Sequence, residues 1–197
     1  MDRYALAVVF VVGTVLLSML AVVATGGSFA RLGRLHLRSL WLLMLGLIGQ
    51  VVLEVVELPA ARLDDAGYLL LLATYVLILV FCALNRRVGG MPVVMVGICL
   101  NVLVIALNQG MPTKDDVVER DGRTVHEPIE RTVKHRPLED DDLLSFLGDV
   151  LSIPGVPNQQ FSIGDIVIGI GVADLCFEAS RRPRRRGEYL PETVESS

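Results

Sequence analysis

Asp174 sits eleven residues into an apolar run that opens at Ile163. In a helix rising about 1.5 Å per residue, that puts its carboxylate roughly 16 Å from the start of the run. If the run crosses a bilayer, Asp174 lies near the midplane, where an ionised acid must be paired, wetted or protonated. Two chemistries fit such a residue. One is a proton or cation relay; the other is an interhelical hydrogen bond, for which Asn101, midway along a second apolar run from Pro92 to Leu107, offers a partner at similar depth. Glu54 lies in the outer third of a third run, with Gln50 one turn earlier on the same helical face. That pair reads as a polar helix face turned toward a bundle. Asp174, Asn101 and Glu54 together form the intramembrane polar set on which a transport path would have to run.

A second group of reactive types gathers between Asn108 and Ser162, where eleven acids stand against six bases. His126 and His135 among those acids raise the question of a metal. Neither His-x-x-x-His nor Cys-x-x-Cys spacing occurs, so the segment reads as a solvated acidic loop, with no metal or other cofactor expected. His135 as general base, oriented by Asp149, is the one acid-base pairing the segment offers. Ser162-Ile163-Gly164-Asp165 has the spacing of a capping box, in which hydroxyl and carboxylate satisfy backbone donors at a helix start. Gly90-Met91-Pro92 and Gly110-Met111-Pro112, with Asn85 and Asn108 near them, read as helix start and stop signals. There is no P-loop, no dinucleotide fingerprint and no Gly-x-Ser-x-Gly.

The elements that must carry these residues follow from charge-poor runs. The chain has 197 residues, 52% apolar and 20% charged, with net charge −4, and its apolar residues are collected rather than spread. A bilayer core about 30 Å thick needs roughly 20 apolar residues in helix. Five runs qualify: Tyr4 to Val23, Leu40 to Val56, Gly67 to Leu84, Pro92 to Leu107 and Ile163 to Phe177. The first lacks a positive leading region and reads as a retained anchor rather than a cleaved signal. Arg31, Arg34 and Arg38 mark the first connection as cytoplasmic, Arg86 and Arg87 the third, and the arginines from Arg181 to Arg186 the tail.

The expected fold is therefore all-α: an integral membrane bundle of five transmembrane helices, amino end outside and carboxyl end inside. Residues 1–112 hold four helices with short loops. Residues 113–162 form the extracytoplasmic segment, with an amphipathic helix near 140–151 carrying Leu143, Leu144, Leu147, Val150 and Leu151 at helical spacing. Residues 163–180 form the fifth helix, and 181–197 a polybasic then acidic cytoplasmic tail. Close helix contacts are expected at Gly46, Gly49, Gly169 and Gly171. Cys82, Cys99 and Cys176 all fall within runs, so no disulfide framework is implied.

Asn108 with Gly110-Met111-Pro112, His135, Leu147-Gly148-Asp149 and Ser162-Ile163-Gly164-Asp165, taken in order, resemble a family of small uncharacterised bacterial membrane proteins. The family is frequent in actinobacteria and known only as a domain of unknown function. The resemblance implies a bacterial plasma membrane location and contributes no activity. It gathers Asn108, His135, Asp149 and Asp165 as binding residues on one outer surface.

The leading functional expectation is a non-catalytic integral membrane protein that binds a protein partner or lipid through its outer segment, as an accessory subunit of a larger complex. Membrane lipids and either a protein partner or a second copy are the expected contacts; nucleic acid is not. The alternatives are a small oligomeric transporter using Asp174, Asn101 and Glu54, and a membrane enzyme acting on a lipid-linked substrate with His135 and Asp149.

Overall fold

The computed structural model describes residues 35–55, 66–120, 123–127, 131–152 and 160–180, with single positions at 23, 30, 33 and 129. Four α-helices run through them: α1 Leu40–Val55, α2 Tyr68–Leu84, α3 Met91–Asn108 and α4 Ile163–Ser180. The chain punctuates each with residues suited to the purpose. Asn85 caps α2, and Gly90, at φ 75°, turns the chain into α3, whose first turn accepts Pro92 because that turn needs no backbone donor. At its far end α3 stops through two left-handed steps, Gln109 at φ 52° and Gly110 at φ 146°.

Neighbours in sequence pack as neighbours in space, α1 on α2, α2 on α3, α3 on α4. Each pair is antiparallel, as the contacts show: Gly46 and Gly49 meet Thr74, Tyr68 Oη donates to the Ala106 carbonyl at 3.2 Å, and Gly97 and Gly90 lie against Gly164 and Gly171. The core runs from Leu42 and Leu53 through Leu71, Ile78 and Phe81 to Ile98, Val104 and Ile105, and continues into Met111, Val133 and Leu147.

Beyond α3 the chain builds a small cap of strands. β1 Met111–Thr113 pairs in parallel with β4 His135–Pro137, and Thr113 also bridges Asp149 in parallel, so β1 is flanked on both sides. β2 Asp116–Arg120 and β3 Arg123–Glu127 form an antiparallel hairpin, and β5 Leu151–Ser152 pairs with β6 Gln160–Phe161 just before α4.

The expectation of five transmembrane helices in an all-α fold is not met. Among the described residues there are four helices, and only Met91–Asn108 is both long and apolar enough to cross a membrane. α1 and α2 are apolar but shorter than α3, at sixteen and seventeen residues. α4 has eighteen residues but carries Asp165, Asp174 and Glu178. The fold is mostly helical with strands. The first apolar run, Tyr4 to Val23, lies outside the described residues apart from Val23, as does the arginine-rich tail.

The amphipathic helix expected near 140–151 is also absent. Turns and one 3-10 turn, Ser145–Leu147, replace it, since Leu144 enters the left-handed region at φ 54° and a helix cannot propagate through that residue.

Candidate functional site

Of the residues singled out in the sequence, Asn108, His135 and Asp149 lie where the cap meets the end of α3, while Asp165, at the start of α4, is bonded to Asn101 within α3. Their roles divide sharply.

Ser162 and Asp165 make the full reciprocal box: Asp165 N–H donates to Ser162 Oγ at 3.0 Å, and Ser162 N–H donates to Asp165 Oδ2 at 3.0 Å. Asn101 then closes the network, its Nδ2 donating to Asp165 Oδ1 at 2.9 Å while its Oδ1 accepts from Ser162 Oγ at 2.9 Å. Ser162 is fully buried and Asn101 nearly so. Every polar atom used here finds a partner within the group, which is what burial of polar side chains requires. The helices come close enough for this because Gly97 and Gly164 face each other. A Cβ on Gly97 would come within 2.6 Å of the Gly164 carbonyl, and one on Gly164 would strike the Asn101 carboxamide.

Asn108 is likewise consumed internally. Its Nδ2 donates to Val104 O at 3.0 Å and to Leu143 O at 2.8 Å, while its Oδ1 accepts from Leu143 N–H at 2.8 Å. The carboxamide thus pairs with Leu143 as a strand backbone would. Arg136 adds a second fastening, donating from Nε to the Asn108 carbonyl at 2.9 Å and pairing with Asp142 and with Glu139 at 3.2 Å. A cation at a helix carboxyl end also complements the helix dipole.

The same device recurs at α2. Asn85 donates to Phe81 O at 2.8 Å and to Arg38 O at 2.9 Å and accepts from Arg38 N–H at 2.8 Å. Sequence reading placed Asn85 and Asn108 beside helix ends; their partners, 47 and 35 residues away, left no local signal.

His135 and Asp149 differ from these. They stand on either side of β1, and His135 Nε2 lies 3.3 Å from Asp149 Oδ2. Asp149 is 6% exposed, and its Oδ1 is buried without a hydrogen-bond partner. A carboxylate against one imidazole nitrogen holds the ring in place. This pair has the reach that acid-base chemistry requires.

The polar set that the sequence suggested for a membrane interior is not brought together. Asn101 is engaged with Ser162 and Asp165 rather than Asp174, which lies nine residues further along α4, roughly 13 Å away along the helix axis. Asp174 is half-buried and makes no hydrogen bond or ion pair to a described residue. The Glu54 and His126 side chains lie outside the described residues. Among the described residues no three His, Cys, Asp or Glu side chains cluster as a metal would need. Of the glycines expected at close contacts, Gly46, Gly49 and Gly171 are packed, whereas Gly169 faces open space.

Fold and site together define an antiparallel helical bundle whose end is closed by a side-chain-clamped, strand-containing cap. The pattern of a family of unknown function (DUF5317) matches residues 34–177, and the chain belongs to that family. The match spans both the bundle and the cap. No curated protein and no solved structure matches the chain.

Proposed function

We propose that this is a non-catalytic integral protein of the bacterial plasma membrane that uses its cap as a binding surface, in the manner of an accessory subunit. One observation carries the membrane reading. Every exposed residue described on α1, α2 and α3 is apolar, among them Trp41, Ile48, Leu69, Val76, Val96 and Leu103, while Thr74 and Asn101 are buried. A water-soluble bundle has the opposite arrangement, with polar residues outside. Only 39% of α3 is buried, whereas the core helix of a soluble domain is mostly buried.

Arg86 and Arg87 precede α3 and an acid-rich segment follows it, which by the positive-inside rule supports a cytoplasmic α2–α3 turn and an outward-facing cap. The binding reading is supported by the way Asn108 fastens the cap to the end of α3. A preorganised surface loses little entropy on association.

The test is crosslinking in native membranes followed by gentle extraction and native mass spectrometry. A protein or lipid bound in stoichiometric amount is the expected result; a bare chain under both conditions overturns the binding reading. A second reading, an enzyme on a lipid-linked substrate, draws on the 3.3 Å approach of His135 and Asp149. It predicts lipid species that change when the protein is expressed and revert with His135→Ala; unchanged lipids remove it.

A further inference from the structure

Resting on that membrane reading, we propose that the turn Leu143–Phe146 is a bilayer-inserting element: its side chains enter the boundary between headgroups and acyl chains beside the end of α3. Leu143 and Phe146 are 56% and 59% exposed, comparable with outward apolar residues of the helices such as Ile170 at 58% and Val76 at 55%. They are not on a mobile fringe. Both backbone groups of Leu143 are held by Asn108, the last residue of the one helix among the described residues that is long and apolar enough to cross a membrane, so Leu143 is fixed at the level where that helix ends. The following 3-10 turn packs on both α3 and α4.

The occupant follows from continuity. Leu107 on α3 and Ile166 on α4 are exposed at the same end of the bundle, so the apolar surface of the turn continues the apolar exterior of the helices. A lipid layer surrounding those helices meets the turn without any further partner. Asp140 and Asp141, exposed immediately before it, set a limit to insertion, since their carboxylates remain with the headgroups and water. Short apolar turns anchored in this way bind through the apolar area they bury at the interface. Leu144, held in the left-handed region between the Asn108 clamp and the 3-10 turn, shows the chain fixed in a shape that presents its neighbours outward.

The experiment uses the full chain in phosphatidylcholine vesicles. The sequence has a single tryptophan, so Phe146→Trp in a Trp41→Phe background gives one reporter on the turn, and Leu143→Trp a second. Leu103→Trp in the same background reports on the exposed face of α3. Vesicles carry bromine either near the headgroup end or near the methyl end of the acyl chains. Expected are strong quenching of Leu103→Trp by bromine in the acyl region and quenching of both turn reporters chiefly by bromine near the headgroup. Acrylamide should quench the turn reporters several-fold less than it quenches the unfolded chain. A quenched Leu103→Trp with turn reporters open to acrylamide overturns the insertion and leaves the membrane reading standing. Turn reporters shielded from both quenchers overturn it in favour of a covering protein or second copy. No quenching at Leu103→Trp removes the membrane reading and this inference with it.

Discussion

Asn108 shows how much one carboxamide can hold at the residue scale. Its bonds to Leu143 replace what would otherwise be a loop free of the helix end. Asn108→Ala removes both bonds to Leu143, at a net cost of about 1–2 kcal/mol for a pair of this kind. Amide exchange at Leu143 should rise sharply, with the α1–α2 contacts unaffected. Asn108→Asp keeps the acceptor for the Leu143 N–H but turns an oxygen toward the Val104 and Leu143 carbonyls, so it is expected to be no better than alanine. A protected Leu143 amide in either variant would show that Arg136 and the 3-10 turn hold the cap without the clamp. Asn101 is more deeply committed. Asn101→Ala leaves Ser162 Oγ without its acceptor and Asp165 Oδ1 without its donor, for an expected loss of about 1–3 kcal/mol, read as a fall in thermal midpoint in detergent. Asp165 and Asn108 were legible in the sequence as a cap and a helix stop. That both would be saturated by partners in the fold was not, because neither Leu143 nor Asn101 is near them in the chain.

At the scale of elements, the α3–α4 seam depends on the absence of side chains. Gly164→Ala drives a methyl group into the Asn101 carboxamide and toward the Gly97 carbonyl at 2.8 Å, so helix separation and network loss come together. Gly169→Ala meets nothing within 4 Å and should be neutral or slightly stabilising, since alanine favours helix. Thermal unfolding of the two variants side by side separates a packing requirement from a general effect of glycine; equal loss in both would refute the seam. Charge-poor apolar runs marked where helices would lie from residue 40 onward. They did not mark β1 and β4, which are three residues each, and whose pairing is set by Met111 N–H donating to the Lys134 carbonyl at 2.7 Å and by the flanking Asp149 segment, all distant in sequence.

For the whole molecule, the distribution of apolar surface is the governing fact. Cys99 lies exposed midway along α3, whereas Cys82 is buried on α2. In intact membranes Cys99 is expected to resist a membrane-impermeant maleimide and to react fully once the protein is unfolded in detergent. Ready labelling before unfolding would mean that water, not lipid, covers that face. If lipid covers that face, as proposed, removal of lipid and detergent is expected to precipitate the chain, and a soluble monomer would count against the membrane reading.

The sequence by itself determined that the chain is built on apolar helices, where four of them lie, that Ser162 and Asp165 cap the last one, and which family it belongs to. Each of these is carried by neighbours within a turn or two, or by composition over a window, and so needs no knowledge of the fold. The tertiary structure decided that turns and the 3-10 turn Ser145–Leu147 replace the amphipathic helix expected near 140–151, and that β1 and β4 pair in parallel. It also assigned Asn101 to Asp165 rather than Asp174, and brought His135 to within 3.3 Å of Asp149. The physical reason is the same in each case. Those outcomes depend on which backbone groups and side chains meet across 35 or more residues of chain, or across a strand between them. The hydrogen bonds formed there outweigh local helical preference once the ends of α3 and α4 are packed together.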